Sequence, residues 1–362
     1  MNDLMTQTKI NIIPNENSRL HEVDFNNLMF GKKFSDHMFV MEFENGTWKE
    51  PAIKPFGPIQ ITPALNTLHY GQAVFEGMKA FYKDDETINI YRPKDHFERM
   101  NFSSRRMGIP ETSYEIFITA LEELLKLDNK FVPRLEQSAL YIRPFIFASD
   151  DLLAARSSSK FSYYIITSPV GAYYDEGFNP VSLTTTKEYV RAVVGGTGEV
   201  KTAGNYAASF LPAKKAKEDG YTQVLWLDAK EHKYIEEVGT MNIHFLVGDT
   251  LVTPKLTGSI LGGITRRSVL TLAEEWGYKV EERRITIDEV FEASDNGTLK
   301  EVFGSGTAAV ISPVGLIHHE GKKIDIGIGS IGDFAKRLYD EITGIQYGTI
   351  EDRHNWIHSV KV

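Results

Sequence analysis

The sequence predicts a two-domain protein of mixed α/β (α+β) class, and three observations predict it. Strand patterns outnumber helical ones in both halves and recur as hairpins, which argues against a doubly wound parallel sheet. The 362 residues are more than twice a common domain of roughly 150 residues. The stretch "VGAYYDEGFNP", starting at Val170, holds Gly171, Gly177 and Pro180 without periodicity. It reads as a connection, 170–181, between an N-terminal domain, 1–169, and a C-terminal domain, 182–362.

The elements follow in order. "MFVMEF" (38–43) reads as a strand, and the Pro-rich "EPAIKPFGPIQITP" behind it argues against an immediate second one. "AVFEGMKAFYKDDETINIYR" reads as a hairpin turning at Lys83–Glu86. "PKDHFERMNFSSRRMGI" is a helix with Pro93 in its first turn. "SYEIFITALEELLKLDN" is an amphipathic helix capped by Ser113. "SALYIRPFIFAS" and "KFSYYIITSPV" are strands rich in β-branched and aromatic residues. In the second half "VSLTTTKEYVRAV", "TQVLWLDAKEHKYIEEVG" and "NIHFLVGDTLVTP" supply strands. "GITRRSVLTLAEEWG" is a helix stopped by Gly277, and "TIDEVFEASDNG" and "SIGDFAKRLYDEITG" are further helices. "KEVFGSGTAAVISPV" is strand, turn, strand.

Composition narrows the function. A net charge of −9 opposes binding to nucleic acid, which needs a basic face. Cysteine is absent, so disulfides, thiolate metal sites and cysteine nucleophiles are excluded. No signal peptide is evident at the start and no apolar run reaches the roughly 18 residues of a membrane span, so the expectation is a cytoplasmic protein off the membrane. The adjacent His318 and His319 lack a companion cluster and would point apart on a strand, so an exposed pair without metal is expected.

The stretch "VGGTGEVKTAGNY" (194–206) poses the functional question. Gly195, Lys201 and Thr202 stand in Walker A register, but Val200 occupies the place of the second glycine. A β-branched residue resists the backbone turn that aims N–H groups at a phosphate, and Pro212 interrupts the helix that should follow. A lone lysine here would stand in solvent. Two other stretches look like anion cradles, though. "LGGIT" puts Gly262 and Gly263 before a helix start with free N–H groups at Ile264 and Thr265. "FGSGTAAV" is a glycine-rich turn at Thr307 and Ala308. A lysine with two anion sites suits a phosphorylated cofactor that needs an amine, such as pyridoxal phosphate.

"VKTAGNYAAS", "EEVGTMNIHF", "LGGITRRSV" and "FGSGTAAVISPV" together resemble the branched-chain amino acid aminotransferases, of fold type IV among pyridoxal phosphate enzymes. "LHYGQAVFEGMKAF", "YRPKDHFERM", "ALYIRPFIF" and "SPVGAYY" extend the resemblance over about residues 25–350. It implies a fold like that of D-amino acid aminotransferase, with a small N-terminal and a larger C-terminal domain. It implies that Lys201 bonds the cofactor as an imine and, once displaced, carries a proton. Tyr206 would bond the phenolic oxygen, Glu237 would face the pyridine nitrogen, and Glu236 would point to the other side of its strand. Arg99 would clamp the phosphate with Ile264, Thr265 and Thr307, and Arg191 would belong to the cofactor's surroundings.

The resemblance also implies a substrate pocket at Phe30, Tyr70, Phe75, Tyr141, Tyr173 and Thr240. The α-carboxylate would meet the Thr307–Ala308 turn and the Tyr141 hydroxyl, and Arg143 would take the γ-carboxylate of glutamate. Tyr70 would come from the other subunit of a homodimer. Substrates would be small molecules: L-leucine, L-isoleucine, L-valine, glutamate and their 2-oxo acids. D-amino acid aminotransferase or aminodeoxychorismate lyase of the same fold, and a non-covalent phosphate or nucleotide binder, are the alternatives. Family members with Cys-x-x-Cys after the turn find Ala309 and Ser312 as counterparts here, so that thiol switch is absent.

Overall fold

The computed structural model describes residues 9–171, 179–327 and 330–362. The chain divides into two compact units: residues up to 172 joined by Gln346–Val362, and residues 173–345. The C-terminal segment thus joins the first unit, whereas the sequence reading placed it in the second domain. The reason is strand pairing. Ile357–Lys361 adds antiparallel to Thr87–Tyr91, with Val360 opposite Ile88. With it, the two units are similar in length.

Among the described residues the first unit holds a ten-stranded sheet, nearly all antiparallel. Its centre is Ala139–Ala148, paired along its whole length with Phe161–Val170. On its other edge Ala139–Ala148 pairs with Ala73–Phe75 and Met78–Asp84. Phe75 faces Phe145 and Met78 faces Ile142, so the two short strands keep one register across the break at Glu76 and Gly77. Side chains alternate between faces. Val74, Met78, Ala80, Leu140, Ile142 and Ile146 belong to the core on one face. The helices Pro93–Arg106 and Tyr114–Leu127 contribute Phe97, Met100, Phe117, Leu121 and Leu124 to that core. Each fully buried side chain of this kind contributes about 1.5–3 kcal/mol. Pro93 opens the first helix, and the Ser113 hydroxyl caps the second by accepting from the Ile116 N–H at 3.2 Å. Contrary to the sequence reading, a second strand, Thr47–Trp48, comes before the Pro-rich stretch, and Ala52–Pro55 within that stretch is another; both pair with His37–Glu44. Ile53 is fully buried there, and the prolines at 51 and 55 only bracket the strand.

The second unit holds a nine-stranded mixed sheet among the described residues. Val181–Thr185 lies parallel to both Gln223–Leu227 and Val310–His319. The hairpin partners Leu299–Gly306 and Asn242–Val247 follow antiparallel. The segment after Lys201 forms two short helices, Ala203–Ala207 and Phe210–Glu218. Pro212 falls in the first turn of the second, where no intrahelical N–H is lost. His318 and His319 lie on a strand half-buried, not exposed as expected. Each ring pairs through Nδ1 with a threonine hydroxyl of the neighbouring strand, Thr184 at 2.9 Å and Thr185 at 2.8 Å. No described helix is long and apolar enough to cross a membrane.

Candidate active site

In the second unit Lys201 donates from Nζ to the Tyr206 hydroxyl at 2.7 Å. The segment that carries both, a loop running into the short helix Ala203–Ala207, is pinned by Asn205. Its amide donates to the carbonyls of Thr197 (2.7 Å) and Val200 (2.8 Å) and accepts from the Thr197 hydroxyl. Sequence reasoning passed over Asn205, although its place between Lys201 and Tyr206 in "GNY" was a usable signal. Val200, the residue that spoils the Walker pattern, is 1% exposed and serves as a core anchor beside the lysine. Gly198 allows a close crossing, since a Cβ there would collide with the Ser259 carbonyl and Ala192.

Glu237 sits on the strand Ile235–Val238 with its side chain 3% exposed. Arg191 pairs with it through Nε at 2.9 Å, and the Leu261 N–H donates to Oε1 at 2.6 Å. Arg191 is itself fixed by the carbonyls of Ser259 and Gly198. Burial pushes the Glu237 carboxyl up, against the opposing pull of Arg191 and the Leu261 N–H, to about 7. Glu236 has different partners: the Ser259 hydroxyl donates to its Oε1 at 2.5 Å. Arg191 thus becomes the group that orients Glu237, a clearer place than "surroundings".

The helix Ile264–Glu275 begins behind Gly263. Asn242 fixes this start by donating to the Leu261 carbonyl at 2.8 Å, and a Cβ on Gly263 would collide with the same amide. The Arg267 N–H makes the first intrahelical bond to Gly263, so the N–H groups of Ile264 and Thr265 precede the ladder. That is a competent anion site. The Thr307–Ala308 turn joins Leu299–Gly306 to Val310–His319. Here the glycines serve packing as much as any ligand: Cβ atoms on Gly304 and Gly306 would press on Met241, while Ser305 on the other face pairs with buried His244 at 2.9 Å. Thr240 lies exposed in the turn before Asn242.

In the first unit the sheet face opposite the helical core carries Phe75, Tyr141 and Arg143. Arg143 donates from Nη2 to the Tyr141 hydroxyl at 2.8 Å. Its guanidinium lies 4.7 Å from the Phe75 ring centre, and Phe30 meets Tyr141 edge-on at 4.8 Å. Four of the sequence-predicted pocket residues are therefore gathered. Lys79, paired in register with Tyr141, shares this face and was missed. Strand alternation could have found it. Burial pushes its ammonium down to about 8. Tyr70 is exposed, with its ring beside His69 and apart from this cluster in a single chain. Tyr173 lies outside the described residues.

Arg99 projects from its helix onto Glu76, a fully buried carboxylate. Nε and Nη2 reach its two oxygens at 2.7 and 2.9 Å, and His96 adds a contact at 2.7 Å. Burial raises the Glu76 carboxyl, but the charges of Arg99 and His96 outweigh it and hold the group well below the usual range. Alternation sends Glu76 to the face opposite Phe75 and Arg143. Its role is to fix Arg99, and sequence reasoning had not singled it out.

The donor set of the second unit fits an aldehyde-bearing phosphate: a primary amine beside a phenol, a buried carboxylate held by arginine, and a helix start. The match with known proteins agrees. The model of class IV aminotransferases matches residues 73–317. The chain is 48% identical over 338 residues, 93% of both chains, to branched-chain-amino-acid aminotransferase 2 of Bacillus subtilis. It superposes on the crystal structure of the Escherichia coli branched-chain amino acid aminotransferase with a TM-score of 0.72 at 27% identity, over 89% of this chain and 98% of that one. The branched-chain aminotransferase of the thermophilic archaeon Thermoproteus uzoniensis, solved with norvaline, gives 0.72 at 25% identity, over 89% and 99%. The chain belongs to the class IV aminotransferases.

Proposed function

We propose that this protein is a pyridoxal phosphate-dependent transaminase that moves an amino group between L-leucine, L-isoleucine or L-valine and 2-oxoglutarate in two alternating half-reactions. The observation that carries the reading is the pairing of Lys201 with Tyr206 in the unit that also buries the Arg191–Glu237 pair. When bound, the cofactor supplies an aldehyde for the substrate amine and a ring that accepts electrons from the α-carbon.

This chain's residues supply the rest. Lys201 offers a primary amine that can bond the aldehyde and, when free, take a proton from the substrate α-carbon and return it. Tyr206 holds that amine and can hold the cofactor's phenolic oxygen. Glu237 keeps a proton at the ring nitrogen, and Arg191 favours its ionised form against burial. The N–H groups of Ile264 and Thr265 would hold the phosphate, and the resemblance would add Thr307 and the Glu76-oriented Arg99. The resemblance would give the α-carboxylate to the Thr307–Ala308 turn and to the Tyr141 hydroxyl. Phe30 and Phe75 offer apolar surface to the substrate side chain from the first unit, Thr240 would serve from its turn in the second, and Tyr70 would enter from the second subunit of a homodimer. Arg143 recognises the side-chain carboxylate of glutamate, which an apolar pocket alone would reject. A cytoplasmic location is part of the same proposal.

Activity on a panel of L- and D-amino acids with 2-oxoglutarate tests the reaction. Turnover of the branched L-forms is expected, and preference for D-forms would favour the alternative within the fold. Arg143→Met should lower kcat/KM for glutamate and 2-oxoglutarate by about 100-fold or more, and for leucine by less than about 10-fold. Equal losses would make Arg143 a structural residue.

A further inference from the structure

Gly77 is buried at the break between Ala73–Phe75 and Met78–Asp84, opposite Arg143 in the continuous register of these strands. Its backbone has no left-handed φ, so conformation does not require glycine there. Space does. A Cβ on Gly77 would lie closer than 3.0 Å to both Oη and Cζ of Tyr141. The Tyr141 ring thus leans across the sheet and seats its hydroxyl over the bare Cα. In that seat the hydroxyl accepts the hydrogen bond from Arg143 Nη2 at 2.8 Å. Arg143 needs such an anchor, because its Nε is buried without a hydrogen-bond partner and its remaining described contacts are the faces of Phe75 and Tyr141.

We infer that Gly77 is a specificity-determining position: the missing side chain seats the Tyr141 hydroxyl, and that hydroxyl sets Arg143 for dicarboxylic substrates. The inference rests on the reading of Arg143 given under Proposed function. A methyl at 77 displaces Tyr141, and Arg143 loses its anchor. Dicarboxylic amino and 2-oxo acids then lose the aim of Arg143 as well as the tyrosine hydroxyl. Aliphatic substrates lose only the hydroxyl.

The test is a double-mutant cycle on the holoenzyme with glutamate, 2-oxoglutarate and leucine. Gly77→Ala should raise KM for glutamate and 2-oxoglutarate at least ~10-fold, and for leucine by a smaller factor. In the Tyr141→Phe background the same change should cost less than ~3-fold, because the displaced hydroxyl is already gone. Equal cost in both backgrounds overturns the inference. The double variant also removes the nearer of the two clashing atoms, leaving only Cζ, so it keeps the test open if Gly77→Ala folds poorly. A crystal structure of Gly77→Ala separates the two layers of argument. Tyr141 left in place with its Arg143 bond intact sinks the role of Gly77. A displaced Tyr141 with no selective loss of acid substrates sinks the reading of Arg143 instead.

Discussion

The two units present their functional groups in opposite ways. In the first, Phe75, Tyr141 and Arg143 stand on paired strands, and Arg99 stands on a helix braced by a buried carboxylate. In the second, Lys201, Tyr206, Leu261 and the Thr307–Ala308 turn lie on loops, turns and short helices. Those loops are held by side-chain amides, Asn205 and Asn242, and by close crossings at Gly198 and Gly263. A strand face fixes spacing and suits the measuring of a substrate's shape and charge. Loops around a sheet can bring an amine and a helix start from distant parts of the chain to a carboxylate such as Glu237, which a strand carries. Under the proposed function, side-chain recognition falls mainly to the first unit and bond-making to the second.

Lys201→Ala tests this division most severely. It removes the only amine placed against Tyr206 in the described site and should lower turnover of every substrate by about 10³-fold or more, in line with losing both nucleophile and proton carrier. Steady-state rates with leucine and with glutamate should fall together. A variant that lost only one of them would put chemistry in the recognition unit and break the comparison.

Glu237 gives the next effect, read as stability in protein freed of cofactor. Its carboxyl rises from 4.5 to about 7 in the fold. Between those values the folded state binds more protons than the unfolded state, so stability falls as pH rises through that window. The contribution is about 3 kcal/mol over the whole window. Urea unfolding of the wild type and Glu237→Gln at several pH values between 4.5 and 7 measures it. The variant's profile should be flatter by that amount, and parallel profiles would mean that Arg191 already keeps the group ionised. Loading with cofactor should shrink the slope, because a protonated ring nitrogen adds an opposing charge.

Much of this arrangement was legible in the sequence where period and local chemistry agree. Alternation in "ALYIRPF" places Tyr141 and Arg143 on one face, and Pro93, Ser113 and Gly277 mark helix ends as their chemistry requires. The resemblance named Lys201, Tyr206 and Glu237, and the structure brings Lys201 to Tyr206 and Glu237 to Arg191. What stayed hidden depends on contacts between residues far apart in the chain. Glu76 bonds Arg99 across 23 positions, Arg191 meets Glu237 across 46, and the final strand returns to Thr87–Tyr91. Gly77 reads only as a glycine inside the first strand of the hairpin until the Tyr141 ring is seen above it. Ala52–Pro55 was hidden by flanking prolines whose lost N–H groups the sheet tolerates at the strand's ends.

The smallest effect sharpens the comparison most, because one oxygen is removed at the same kind of pair in each unit. Lys201 donates to Tyr206 at 2.7 Å and Arg143 donates to Tyr141 at 2.8 Å. A hydrogen bond to a charged group is worth roughly 1.5–3 kcal/mol, so each Tyr→Phe change should cost about 10- to 100-fold in the step that uses it. Tyr206→Phe should slow the half-reactions of leucine and glutamate by the same factor and show itself in kcat, since the amine serves both. Tyr141→Phe should appear mainly in KM. It should weigh more on glutamate than on leucine, because only the acid also depends on the aim of Arg143. Single-turnover rates for each half-reaction give both numbers. If the two phenylalanine variants showed the same pattern, the units would not divide recognition from chemistry, and the strand face would have to be read as part of the reacting machinery.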